Sequence, residues 1–164
     1  MEVLWSPWRL DYILGPKPEE CVFCLPKATD EDEERLVLHR GSTCFVIMNK
    51  FPYNNGHLMV CPLRHTSCLT TLTEEELVES ARLVRMAVSV LHEAFNPQGV
   101  NVGLNLGVAA GAGIAAHLHW QLVPRWSGDA SFMAVFAETT VIPEHLQSTY
   151  NRLKPLFEKR AAKE

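Results

Sequence analysis

The chain predicts an α+β fold, a mostly antiparallel sheet with helices packed on it, and three observations carry that expectation. Short β-like runs sit around a tight turn signal, Asn54-Asn55-Gly56, as in a meander. One long stretch carries apolar residues at helical spacing behind a capping box. No internal repeat, linker or second domain interrupts the 164 residues, so residues 1–164 read as one domain.

Residues 1–20, with Trp5, Pro7, Trp8, Tyr12, Pro16 and Pro18, suggest an irregular N-terminal arm anchored by its rings or simply packed through them. The acidic run Thr29–Glu34 reads as a solvated loop or a helix start. Leu36–Leu38, Thr43–Met48 and His57–Cys61 then form the expected antiparallel meander. Thr73, with Glu76 three residues later, opens a helix whose apolar stripe is Leu77, Ala81, Val84, Val88, Leu91 and Phe95. Asn96-Pro97-Gln98-Gly99 ends it. Strands follow at Val100–Leu106 and His117–Val123, separated by a glycine-containing loop, and a C-terminal helix is expected near Pro143–Lys159.

Composition narrows the function. An apolar fraction of 47%, a charged fraction of 21% and a net charge of −4 lack the basic excess of a protein that binds nucleic-acid polymer or a membrane surface. Five cysteines, with one close pair at Cys21 and Cys24, suit a reducing compartment and a metal or redox role better than a disulfide framework. Cys44, Cys61 and Cys68 lie in apolar surroundings and read as core thiols. The first ten residues lack a leader pattern, and no apolar run approaches the ~18 residues of a membrane span, so a cytoplasmic protein is expected.

The richest segment is His117-Leu118-His119-Trp120-Gln121-Leu122-Val123. On an extended chain its two histidines and the glutamine share one face, while Leu118, Trp120 and Leu122 enter the core. Just upstream, Gly107–Ile114 holds almost only small residues, so its main-chain N–H groups could cradle phosphates. A neutral imidazole is a competent nucleophile toward phosphorus, and a covalent nucleotidyl-histidine divides one transfer into two easier steps. Backbone donors at the cradle would stabilise the charge that redistributes in the transition state. Gln121 can donate to phosphate but cannot shuttle a proton, which handicaps water as the attacker and favours a phosphate acceptor. Separately, a Cys-x-x-Cys turn can place both thiolates on one Zn²⁺. A thioredoxin-like redox pair is the competing reading of Cys21 and Cys24, but no βαβ pattern follows them.

The run His117–Val123, followed by Pro124-Arg125-Trp126, resembles the signature of the histidine triad (HIT) superfamily. Gly56–His65 resembles that family's other signature strand and turn. Trp5–Arg9, Cys21-Val22-Phe23-Cys24 and Gly128–Met133 are similar to its bacterial branch of diadenosine polyphosphate phosphorylases and ATP adenylyltransferase-like proteins. The resemblance implies a HIT-like fold and a homodimer joined edge to edge. It makes His119 the nucleophile and puts Gln121 at the third position, as in the transferase branch, where hydrolase branches usually have histidine. His57 is expected beside the nucleophile, contacting phosphate or orienting the ring, with a strand-end histidine bonded to backbone as the alternative. Asn49 falls where the family binds ribose. Asn105, Gly111, Gly113 and Ile114 are the expected phosphate contacts, with backbone N–H groups replacing the Gln-Ser or Gln-Thr side chains that many hydrolase relatives have at positions 113 and 114. The resemblance also implies that His65 and His117 complete a closed, structural Zn²⁺ site with Cys21 and Cys24, one zinc per chain.

The remaining polar residues say less. His39, His92 and His145 show no ligand spacing, and Lys50, Arg64 and Arg125 are candidates to pair with a polyphosphate chain. Phe45 and Ile47 alternate with Val46 and Met48, so one pair walls a nucleoside pocket while the other enters the core, and alternation leaves open which. The expected activity is phosphorolysis of diadenosine tetraphosphate to ATP and ADP, with adenosine polyphosphates as nucleotide substrate and orthophosphate as acceptor. Hydrolysis of dinucleoside polyphosphates or nucleoside phosphoramidates is the close alternative, and a zinc-stabilised nucleotide-binding module without turnover the more distant one.

Overall fold

A computed structural model describes residues 21–129 and 144–162. The aromatic arm 1–20, residues 130–133 of the last signature stretch and the Pro143 helix start lie outside the described residues. In chain order the elements are β1 (Val37–Arg40), β2 (Cys44–Met48), β3 (Leu58–Pro62), α1 (Glu74–Phe95), β4 (Gly99–Leu104), β5 (Trp120–Arg125) and α2 (Leu146–Ala161).

The five strands form one antiparallel sheet in the order β1-β2-β3-β5-β4. The first three strands are the expected meander. After β3 the chain runs through α1 to the far edge as β4, and β5 then returns between β3 and β4. That crossover puts the strand after the histidines in the sheet interior.

Two apolar clusters cover the sheet. On one face Cys44, Val46, Met48, Leu58, Val60 and Leu122 meet Leu83, Met86, Ala87, Val90 and Leu91 of α1 and Tyr150, Leu153 and Phe157 of α2. On the other, Phe23 covers Val37, Phe45, Ile47, Met59 and Cys61. Burial on both faces explains why β2 and β3 are continuous apolar runs rather than alternating ones.

The capping box that marks α1 forms: Glu76 N–H donates to Thr73 Oγ1 at 3.2 Å, and Thr73 N–H to Glu76 Oε2 at 2.9 Å. Asn96 ends the helix in the left-handed region at φ 45°. In the β2–β3 turn, Gly56 has φ 74°, and a Cβ there would lie 3.0 Å from the Phe95 ring, so the turn needs glycine both for conformation and for room.

One expected strand begins late. β5 starts at Trp120 rather than His117, because Leu118 N–H donates to Thr66 O at 2.6 Å and the His117 carbonyl faces the His119 ring. The backbone at 117–119 is thus satisfied by a loop and a side chain instead of a ladder. β4 likewise stops at Leu104, two residues short of the expected Leu106, and α2 runs over Leu146–Ala161.

Candidate active site and metal centre

Strand register lays out the site face. Gln121 stands opposite Met59 of β3 and Gly103 of β4, and Val123 opposite Asn101. Phe45 pairs with Cys61 and Ile47 with Met59, so these residues share the face that carries Gln121. The open question of alternation is thereby settled: Phe45 and Ile47 lie on the site face, Val46 and Met48 on the helix face.

His119 sits immediately before β5 and is buried. Its Nδ1 lies 2.9 Å from the His117 carbonyl oxygen. A carbonyl only accepts, so Nδ1 carries the proton and Nε2 keeps the lone pair, the tautomer a nucleophile needs. The Phe23 ring lies against His119 with centroids 5.1 Å apart, limiting where that imidazole can swing.

His57, at the turn into β3, is 1% exposed. Its Nδ1 accepts the Tyr53 N–H at 3.1 Å and lies 3.3 Å from Asn49 Nδ2. The proton therefore belongs on Nε2, which is buried and has no hydrogen-bond partner. Burial first, and the nearby His119 second, push the His57 imidazole down to about 3, so it stays neutral. A buried unmatched N–H costs ~1–3 kcal/mol until an acceptor reaches it, and a phosphate oxygen is such an acceptor. Asn49 Oδ1 accepts the Phe51 N–H at 2.8 Å. Its amide, with two N–H and two lone pairs, retains one of each for a ligand.

The small-residue loop is more self-contained than its composition implies. It makes a short 3₁₀ turn at Val108–Ala110, with Gly107 at φ 85° and Gly111 at φ 84°. The N–H groups of Ala110, Gly111 and Ala112 donate to Gly107 O, Val108 O and Gly107 O at 3.2, 2.9 and 3.3 Å. Those donors hold the loop's own shape rather than facing a ligand. Asn105 Nδ2 pins the loop through Gly111 O at 3.3 Å. Gly113 is exposed, and Ile114 packs on the Phe23 cluster.

Cys21, Cys24, His65 and His117 converge, each offering a ligand atom within 4.8 Å of the others. Cys21 Sγ lies 3.4 Å from His117 Nδ1, and Cys24 Sγ lies 3.2 Å from His65 Nδ1 and 3.9 Å from His117 Nδ1. Ligands around a tetrahedral zinc at its usual bond lengths stand ~3.3–3.8 Å apart, so the donor set fits that ion. His117 Nε2 donates to Pro62 O at 2.8 Å, which turns the Nδ1 lone pair toward the thiols. Burial holds the His117 imidazole below its ordinary value, keeping it neutral and able to ligate. This cluster can hold a metal ion, and its Cys21–Cys24 turn carries Phe23 onto His119.

Other candidates are occupied elsewhere. Arg64 pairs with Glu76 at 2.7 Å and Arg125 with Asp129 at 2.6 Å, so both brace the frame; Lys50 is exposed. His39 stacks on Phe157, His92 lies exposed in the last turn of α1, and His145 precedes α2. Cys44 and Cys61 are buried thiols as expected, Cys44 pushed up to about 11 by burial. Cys68 is a correction: it is exposed, on the loop before α1, where its Sγ lies 2.9 Å from Thr70 Oγ1. Sequence reasoning passed over Phe23 and Tyr53. An apolar ring between two metal-spaced cysteines was a usable signal for the first; the Tyr53 contact with His57, ring centroids 5.0 Å apart, was visible only in three dimensions.

A sheet of this topology, with a tautomer-fixed histidine at the head of an interior strand, defines a class that comparison with known proteins identifies. The HIT domain model matches residues 30–128, and the chain belongs to that family. It is 38% identical over 159 residues to an AP-4-A phosphorylase of Mycobacterium tuberculosis, covering 91% of this chain and 80% of that one. It is 28% identical to the asymmetrical bis(5'-nucleosyl)-tetraphosphatase of Schizosaccharomyces pombe, over 74% of this chain and 63% of that one. In fold it matches a Zn-bound histidine triad family protein from Mycobacterium smegmatis with a TM-score of 0.63 and 24% identity, covering 79% of this chain and 88% of that one. Among the described residues no helix is long and apolar enough to cross a membrane.

Proposed function

We propose that this protein is a nucleotidyltransferase that phosphorolyses diadenosine tetraphosphate to ATP and ADP through His119. The observation that carries the reading is the His119 Nδ1 contact with the His117 carbonyl, which leaves Nε2 as the free lone pair. The relation to an AP-4-A phosphorylase supports the substrate class.

In the first step His119 Nε2 forms a bond to the phosphorus nearest one adenosine, and the P–O bond to the departing ATP breaks. The proton on Nδ1 stays on the ring, where the His117 carbonyl stabilises the imidazolium. In the second step an orthophosphate oxygen attacks the same phosphorus, the P–N bond breaks, and ADP leaves with His119 restored. His57 Nε2–H and the Gln121 amide donate to the non-bridging oxygens as charge builds. Asn105, with Gly113 and Ile114 after the self-bonded part of the loop, completes the phosphate contacts, and Asn49 holds the ribose hydroxyls. Gln121 cannot deprotonate a water, whereas orthophosphate arrives already ionised.

Zinc, one per chain, is the metal we assign to Cys21, Cys24, His65 and His117; these four residues would hold it as a structural ion that anchors the segment carrying His119. A cysteine pattern whose one close pair serves a metal site rather than a disulfide framework fits a cytoplasmic location. A homodimer joined along β4 is supported by that strand's free edge and by exposed Val102, Leu106 and Val108 beside it.

The test is incubation with diadenosine tetraphosphate and radiolabelled orthophosphate, with separation of products. Label in ADP alongside unlabelled ATP is expected. Phosphate-independent AMP and ATP would replace this reading with hydrolysis, and recovery of intact substrate would leave a binding module. His119→Gly should abolish covalent labelling by radiolabelled nucleotide; labelling at the wild-type level would remove His119 as nucleophile.

A further inference from the structure

Past Gln121, away from the metal end, the site face opens into a cavity of about 220 Å³ bordered by Tyr53, Asn101, Gly103, Asn105, Gln121 and Val123. Pockets for drug-sized ligands run ~300–1,000 Å³, so this one suits a flat fragment rather than a whole dinucleotide. Among the described residues none lining it is charged. Of its three carboxamides Gln121 and Asn105 are the ones assigned to phosphate, which leaves Asn101 to meet the hydrogen-bonding edge of a nucleobase. Asn101 is held in place because its Oδ1 accepts Arg125 Nη1 at 3.1 Å, leaving its amide N–H groups to donate. At the rim the Tyr53 ring is 47% exposed although it also stacks on His57. An exposed ring beside donors and acceptors is how proteins hold unpaired bases.

Position and access agree with this occupant. Gln121 and Val123 follow His119 by two and four residues, ~7 and ~13 Å along an extended chain, a gap that the departing phosphates can bridge. The retained nucleoside, one ester bond from the attacked phosphorus, is left with the Asn49 side of the face. Gly103 keeps the cavity open: no heavy atom lies within 4 Å of where its Cβ would be, and its φ is not positive. A Cβ there would meet no heavy atom and no strained backbone, so a larger residue can be placed at this position.

We propose that this cavity is the subsite for the nucleobase of the departing nucleotide, stacked on Tyr53. The assignment rests on a dinucleoside polyphosphate being the substrate. It makes the second nucleoside a recognised group rather than a passive passenger on the leaving phosphates.

The test compares diadenosine tetraphosphate with adenosine 5'-tetraphosphate, which has the same phosphates and one nucleoside, by calorimetric titration of the His119→Gly protein so that neither ligand is consumed. Stacking of one base predicts about tenfold tighter binding of the dinucleotide. Gly103→Leu, which fills the cavity, and Tyr53→Leu, which removes the platform, should each abolish that preference while adenosine tetraphosphate affinity stays within about twofold. Equal affinity for the two ligands in the parent, or a preference that survives both substitutions, overturns the subsite. Turnover of the unsubstituted enzyme is followed in parallel: absence of turnover sinks the phosphorolysis reading, while a dinucleotide preference lost in both variants still upholds the cavity. Failure of either ligand to bind overturns both.

Discussion

Lowering the pH from 7 to 5 forces a choice on His57. In the unfolded chain its imidazole titrates near the ordinary 6.5, but in the folded protein burial pushes it to about 3. Between those values the unfolded state binds a proton that the native state refuses, so stability rises with pH across that window. The contribution is complete above 6.5 and is lost as the pH falls toward 3. One proton is worth up to ~1.4 kcal/mol per pH unit, so acidification to pH 5 should cost ~2 kcal/mol at this residue, a large part of a typical 5–15 kcal/mol stability. His57→Asn is the control, because an amide oxygen near the Nδ1 position can still accept the Tyr53 N–H and does not titrate. Urea unfolding of both proteins at pH 7 and pH 5 gives the difference of differences. Burial also holds His117 low, with the same sign, but it is present in both proteins and cancels. The unsubstituted protein should lose ~2 kcal/mol more than the variant. Equal losses would refute a neutral, buried His57, and with it the assignment of its Nε2–H as a phosphate donor.

Two further outcomes follow from the metal loop. Phe23→Leu keeps most of the buried volume but removes the ring that lies against His119; we expect kcat to fall about tenfold with little change in KM, and unchanged kcat would make the ring mere core filling. Elemental analysis should find about one zinc per chain, and Cys24→Ser should lose the metal and lower Tm, because the site holds residues 21, 65 and 117 together; a metal-free protein of unaltered Tm would remove the zinc assignment.

Much of this was legible without coordinates. The bounds of α1 were readable to within a residue because its cap and its stop are local signals. Its expected stripe was partly misplaced: Leu77 and Ala81 are exposed, and the face that meets the sheet is Leu83, Met86, Ala87, Val90 and Leu91, because sheet contact rather than spacing alone selects which apolar row is covered. β2 and β3 were readable because their apolar runs are bounded by turn residues; Cys21 and Cys24 were readable as a pair from their spacing, whereas their meeting with His65 and His117 is a tertiary contact that only the family resemblance implied. The start of β5 was misread because alternation alone cannot show that the Leu118 N–H is taken by Thr66, fifty-two residues earlier in the sequence. The phosphate loop was half-read: small residues announce a backbone site, but which N–H groups remain for a ligand depends on the turn the loop folds into. Arg64 and Arg125 looked available because their carboxylate partners, Glu76 and Asp129, are recognisable only by proximity. Cys68 looked like a core residue because its neighbours in sequence are partly apolar, whereas its neighbours in space are hydroxyls.

The sequence by itself determined which chemistry was possible, since residue types set the candidate nucleophile His119, the untitratable amide at Gln121 and the thiol–imidazole donor set, and those are properties of side chains. Only the tertiary structure decided that the His119 Nδ1 is the nitrogen on the His117 carbonyl, that Phe45 and Ile47 share the face of Gln121, that His57 is held neutral, and that Phe23 links the Cys21–Cys24 turn to His119. Each of these depends on groups brought together by β5 entering between β3 and β4, and burial and hydrogen-bond geometry are properties of that arrangement rather than of any local run of residues.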